Sequence, residues 1–369
     1  MKIQYNHYLK RTLPALFVMW VLASCSDWTD TESLNIHYPT LEEENPELYE
    51  KYLASLRDYK QSEHKVLIAK FDNKPAYPSG QGENLSALPD SIDFVILNSP
   101  DNLNPVIAQE MQDIRQKGTQ ILYTIDYAMI EKEYEEMLEE EEANKPEPPA
   151  ENLQDGNGEP EEPEIDRFLD FCVQRMDYYF SLFAKYGYDG INVAYSGKFA
   201  AGLPEDEKLV VEARQQVFFD KVNTWKQANA DAVFFFEGKP QNLLYDKEIL
   251  NQTDFIILPA LDAASKEELL FVAEMAMGNG IPSDRVVFGV ALPSLSDDKD
   301  TSGYFTALEN GTPMYAVKGA ALTVIASGSD FVKAGICTNR TQNDYYFGAQ
   351  SNYKNVKEAI SIMNPSPLN

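Results

Sequence analysis

The chain has 369 residues, with 31 Lys and Arg against 59 Asp and Glu and a formal net charge of −28. That excess of carboxylates excludes a nucleic-acid partner, which needs clustered cations to replace phosphate counterions. Three histidines and three cysteines without CxxC or HExxH spacing argue against a metal enzyme and a Ser-His-Asp hydrolase, so neither metal nor cofactor is expected.

The N-terminus reads as an address. Lys2, Lys10 and Arg11 precede an apolar run, Leu13 to Ala23, too short for the roughly 20 residues that span a bilayer. It ends in Leu22-Ala23-Ser24-Cys25, the pattern of a bacterial lipobox. Residues 1–24 are therefore expected to be a cleaved signal peptide and Cys25 the lipidated residue. Several acyl chains on one residue anchor stably, whereas one holds only marginally. Asp27, Asp30 and Glu32 follow at once and resemble the surface-export signal of lipoproteins from glycan-scavenging Gram-negative bacteria. The expected location is the outer membrane, facing outward. Residues 25–64 read as tether plus a short helix, Pro46 to Asp58.

From Lys65 onward, short apolar runs alternate with amphipathic stretches. The predicted strands are Val66–Phe71, Phe94–Asn98, Gln120–Ile125, Gly190–Tyr195, Ala232–Phe236, Phe255–Leu258, Val286–Ala291 and Val332–Cys337. Runs so little interrupted by polar residues suit parallel strands buried on both faces. The clearest helix is Asp166–Tyr186, striped by Phe168, Cys172, Met176, Phe180 and Phe183 and stopped by Gly187. Another closes the chain at Asn355–Met363, before Pro365 and Pro367. The predicted fold is α/β, a (β/α)8 TIM barrel over residues 65–365 with an acidic insertion after the third strand. Without that insertion its length is near the roughly 250 residues typical of such barrels. A doubly wound open sheet is the alternative, but no G-x-G-x-x-G follows the first strand.

The insertion, Glu131 to Glu164, carries nearly half of the net charge. It starts as a Glu-rich helix candidate and ends in Pro-Glu repeats. With so little apolar surface to bury, much of it is expected to be disordered. Cys172 and Cys337 lie in apolar surroundings as core fillers, with a disulfide between them as the alternative.

The fourth strand carries the chemistry. Asp189-Gly190-Ile191-Asn192-Val193-Ala194-Tyr195-Ser196 resembles the DGxDxDxE strand of glycoside hydrolase family 18. Ala334-Gly335-Ile336, Asn343-Asp344-Tyr345-Tyr346 and the ending Ile362-Met363-Asn364-Pro365 resemble lipoprotein members of that family. In the family, as the resemblance implies, the final glutamate protonates the glycosidic oxygen. The aspartate two residues earlier orients the substrate acetamide that attacks the anomeric carbon. Here Asp189 matches the first aspartate, Asn192 stands at the second, Ala194 at the third and Ser196 at the glutamate. A serine hydroxyl is no acid at neutral pH and alanine orients nothing, so the motif is degenerate. The tryptophan usual at the end of the family's last strand is also missing from Cys337-Thr338-Asn339.

The expectation is a catalytically inactive relative that binds N-acetylglucosamine-containing glycans, host N-glycans or chitin-like oligosaccharides, for a SusC/SusD-type importer. Its ligand-binding residues are expected at or just beyond strand C-termini: Asp72, Asn98, Asp126, Tyr127, Asn192, Tyr195, Glu237, Asp262 and Asn339. Loop aromatics such as Tyr77, Phe199, Tyr304 and Tyr345 are possible platforms for sugar faces. The alternative is an active endo-β-N-acetylglucosaminidase with a relocated acid, best placed at Glu237 after Phe234-Phe235-Phe236. A third reading, a structural lipoprotein without a ligand, requires a blocked barrel mouth.

Overall fold

In the computed structural model, which describes residues 40–144, 166–297, 299–348 and 351–365, the eight predicted strands close into a barrel. The expected signal peptide, Cys25 and the tether as far as residue 39 lie outside the described residues, as do residues 145–165. The chain divides into two units, Met1–Lys51 and Tyr52–Asn369. The described part of the first holds a helical turn, Leu41–Glu44, opened by a reciprocal capping box. Thr40 Oγ1 accepts from the Glu43 amide at 3.3 Å and Glu43 Oε2 accepts from the Thr40 amide at 2.8 Å.

The barrel strands are β1 (Val66–Phe71), β2 (Phe94–Leu97), β3 (Gln120–Asp126), β4 (Gly190–Tyr195), β5 (Val233–Gly238), β6 (Phe255–Pro259), β7 (Val286–Ala291) and β10 (Lys333–Asn339). They run parallel in the closed order β1-β10-β7-β6-β5-β4-β3-β2. The helices are α1 (Pro46–Gln61), α2 (Pro105–Gln116), α3 (Tyr127–Ala143), α4 (Arg167–Tyr186), α5 (Glu205–Ala228), α6 (Lys266–Ala276), α7 (Ala316–Ile325) and α8 (Lys354–Met363). Capping explains several boundaries. Asn104, ahead of Pro105, accepts from the Ile107 amide to open α2. Asp166 caps α4, and Gly187 ends it in the left-handed region at φ 64°.

Strand alternation sorts the side chains into two cores. Val66, Ile68, Ile96, Leu122, Val233, Phe235, Ile257, Val287 and Cys337 fill the barrel interior, with Phe94 and Phe255 packed against them. The odd–even partners, among them Leu67, Val95, Ile121, Tyr123, Ile191, Val193 and Tyr195, face the helices in a larger shell. Cys172 lies in that shell and Cys337 in the barrel; both are free and buried, so the core-filler reading holds and the disulfide does not.

The Glu-rich helix expected at the start of the acidic insertion is present, and α3 carries it from Tyr127 unbroken to Ala143. Its stripe is apolar: Tyr127 and Ile130 are buried, and the Tyr134 ring packs on Phe168 and Phe171. Its glutamates have partners on α4, with Glu133 bonded to Arg175 and Glu141 to Arg167. The sequence reading did not foresee the antiparallel hairpin of β8 (Tyr304–Glu309) and β9 (Thr312–Tyr315). Asn310-Gly311 forms its tip with φ of 50° and 84°, the two positive values a type I′ turn requires.

The N-terminal end of the barrel is tied by one device used three times. Asp93 donates its amide to the Leu67 carbonyl and accepts the Leu67 amide on Oδ2. Asp189 does the same with Ile121, and Asp254 with Phe234. Each aspartate precedes a strand and grips the second residue of the strand before it. Two of them also hold basic side chains: His64 Nε2 lies 2.8 Å from Asp93, and Arg115 Nε 2.9 Å from Asp189.

Candidate functional site

Side chains pointing into the barrel end, toward the strand C-termini, in a polar layer. On β1 the inward series Val66, Ile68 finishes in Lys70, and on β5 the series Val233, Phe235 finishes in Glu237. β1 and β5 are four strands apart in either direction around the closed order. The Lys70 ammonium nevertheless lies 2.6 Å from the Glu237 carboxylate, so the ion pair crosses the barrel. The two side chains keep only 12% and 10% of their surface exposed. Burial disfavours the lysine charge, but the Glu237 carboxylate outweighs it and raises the ammonium above its ordinary value. Asn192 Nδ2 adds a 2.5 Å bond to Glu237 and a 3.1 Å bond to Thr124 Oγ1. Asn192 is fully buried, and among the described residues its Oδ1 has no hydrogen-bond partner.

Cross-strand register aligns the next level. Asp126 of β3, Ala194 of β4 and Glu237 of β5 are direct neighbours. Ala194 is therefore a methyl group with a carboxylate on each side. Asp126 is half-buried and caps α3 through a 2.9 Å bond from the Ala128 amide. Burial raises its carboxyl; the Ala128 amide opposes that rise and the nearby Glu237 charge adds to it. Ser196 lies beyond the end of β4, exposed, with its carbonyl held by Asn242 Nδ2 at 2.7 Å. Gly238, at φ 129°, lets β5 close on β4 just after Glu237, since a Cβ there would sit 2.0 Å from the Tyr195 carbonyl oxygen.

The structure sorts the expected ligand-binding residues into three groups. Asp126, Asn192, Glu237 and Asn339 sit on inward positions at the top of the barrel, Asn339 half-buried. Asp72, Asn98 and Asp262 lie exposed at the rim, just past β1, β2 and β6. Tyr127 and Tyr195 are corrections. Tyr195 is 2% exposed and Tyr127 5%, both in the helix-facing shell with their rings together. Tyr195 follows Ile191 and Val193 on the outward face of β4, and its hydroxyl accepts from Gln215 Nε2 at 2.6 Å. Neither meets a ligand at the mouth. Asp189 also belongs elsewhere, in the strand bracket at the opposite end. Among the loop aromatics, Tyr77 and Phe199 stand 68% and 66% exposed, whereas Tyr304 packs at a tilt against Tyr315 and Tyr345 meets Tyr353 edge to face.

Sequence reasoning missed Lys70, Thr124 and Arg340. A lone lysine at an inward position of Val66–Phe71 was the available signal for the first. Arg340 follows β10 in the left-handed region at φ 58°, uncommon outside glycine. Its guanidinium reaches Asp300 and Ser302 at 2.5 Å each. Cavity size does not mark the site. Two adjoining cavities of about 770 and 560 Å³ open at the N-terminal end and share Ser62, Glu63, His64 and Phe255, and no residue of the fourth-strand motif, Asp189 to Ser196, lines either of them.

Comparison with known proteins agrees with this architecture. The family model for glycoside hydrolase family 18, BT1044-like, matches residues 29–362. A solved glutamate-to-glutamine variant of BT1044 is similar at 17% identity and a TM-score of 0.60, covering 89% of this chain and 98% of that one. A family 18 chitinase from Pseudoalteromonas aurantia is similar at 11% identity and a TM-score of 0.45, covering 80% and 99%. YKL-39, solved with chitooligosaccharides, is similar at 10% identity and a TM-score of 0.46, covering 82% and 100%. No curated protein matches the sequence. With a family model spanning most of its length and the fold shared with BT1044, this chain belongs to glycoside hydrolase family 18, BT1044-like.

Proposed function

We propose that the protein is a glycan-binding member of its family that does not cut, held at the outer membrane by lipid on Cys25. The carrying observation is the inward face of β4. It offers Asn192 and then Ala194, with Ser196 beyond the strand, and no carboxylate. The family's acid and its acetamide-orienting group are absent together, and loss of an essential proton donor alone costs about 10²- to 10⁴-fold in rate. Glu237, the nearest substitute, is committed to the Lys70 ammonium and the Asn192 amide rather than left free to meet a leaving group. Binding still has what it needs. The strand ends present carboxylates and amides, the exposed rim keeps them reachable, and Tyr77 and Phe199 offer apolar faces. Capture at the cell surface for a SusC/SusD-type importer is the role this implies.

Incubation with a high-mannose glycoprotein and with chitin oligosaccharides is expected to release nothing, while isothermal titration against the same glycans gives saturable heats. Release at a rate typical of working family members would falsify the non-cutting reading. Absence of heat with every N-glycan and chitin oligosaccharide would remove the binding one.

A further inference from the structure

We propose that the barrel mouth takes a hexosamine whose nitrogen is a free ammonium rather than an acetamide, seated over Ala194 between Asp126 and Glu237. The inference rests on the glycan-binding reading above and names its ligand class.

Register puts the two carboxylates on either side of the Ala194 methyl. Their situations differ. Glu237 is neutralised by Lys70, whereas Asp126 takes backbone amides and, among the described residues, forms no ion pair. One level below, on the same inward face of β4, Asn192 Oδ1 is buried and among the described residues has no donor. The gap is thus flanked by two carboxylates that share one ammonium, Lys70, which leaves one negative charge over when both are ionised. An ordinary neutral hydroxyl is both donor and acceptor, and an acetamide brings one N–H together with a carbonyl that faces the carboxylates. An ammonium brings three donors, no acceptor and the opposite charge. Asp72 and Asp262, exposed at the rim, extend a field of the same sign over the approach. The alanine fits this: an aspartate there serves an acetamide, while a methyl leaves room for a cation to reach the flanking oxygens.

The test is isothermal titration of the full chain with a β-1,4-linked glucosamine tetramer and with its N-acetylated counterpart. The free-amine tetramer is expected to bind at least about tenfold tighter at low salt, with the margin shrinking as salt screens the charge. Asp126→Asn is expected to erase the margin, and asparagine caps a helix as well as aspartate does, so α3 keeps its start. A chain of net charge −28 attracts any oligocation, so Glu139→Gln, on the exposed side of α3, serves as control and is expected to change nothing. Equal or tighter binding of the N-acetylated tetramer overturns the inference and leaves the glycan-binding reading standing. So does a margin that survives Asp126→Asn, or binding of an N-glycan with neither tetramer bound. Silence across the whole panel removes both.

Discussion

At the N-terminal end of the barrel, Asp93, Asp189 and Asp254 each hold the amide and the carbonyl of a residue on the preceding strand, and two of them hold a basic side chain as well. At the C-terminal end, Asp72 and Asp262 stand exposed, and Asp126 caps a helix but pairs with no cation among the described residues. The two ends use the same side chain in opposite ways. Carboxylates whose acceptors are filled contribute to stability. Those with capacity left over are available to a ligand, which agrees with the general division of labour between the two faces of such barrels. The Lys70–Glu237 pair complicates the contrast, since it is fully engaged and yet sits at the open end.

The largest expected effect tests that complication. Glu237→Leu leaves the Lys70 ammonium buried without its partner and is expected to cost about 3–5 kcal/mol, read from the urea midpoint. Adding Lys70→Met to the same chain is expected to recover most of that loss, because an apolar pair of similar volume replaces a buried ion pair at little net cost. A double variant as unstable as the single one would place the pair with the structural carboxylates.

A smaller effect sharpens the opposite side. Asp189→Ala removes an acceptor from the Ile121 amide and the partner of Arg115, so a loss of about 1–3 kcal/mol is expected with glycan affinity unchanged. Altered binding would return Asp189 to the functional motif.

The smallest effect is a pH dependence at the N-terminal end. The hydrogen bond to Asp93 raises the His64 pKa above 6.5 against the opposing effect of burial. The folded state therefore binds the proton more tightly than the unfolded one. The resulting stability is complete below about pH 6.5 and is lost as pH rises through the raised value. His64→Phe should flatten this part of the stability–pH curve, and a curve rising over that window would contradict the pairing.

Much of this was legible before any coordinates. The eight barrel strands stand where the apolar runs put them, and Gly187 ends α4 as its position after the stripe implied. The misses have physical causes. Nearness to strand ends points to Tyr127 and Tyr195 as mouth residues, but side-chain direction alternates and turns both toward the helices. Lys70 was invisible because its partner is on the opposite side of the barrel, a relation that no local pattern encodes. The β8–β9 hairpin had a readable signal in Asn310-Gly311, which was overlooked because the strands around it are short and largely exposed.

The row Asp126–Ala194–Glu237 also bears on which substitutions the barrel mouth tolerates. Aspartate in place of Ala194 would set three carboxylates side by side on adjacent strands, with one lysine among them, and like charges so placed resist ionising together. A carboxylate at position 194 is therefore penalised by its neighbours whatever stands at position 196, and a change there has to begin with Asp126 or Glu237.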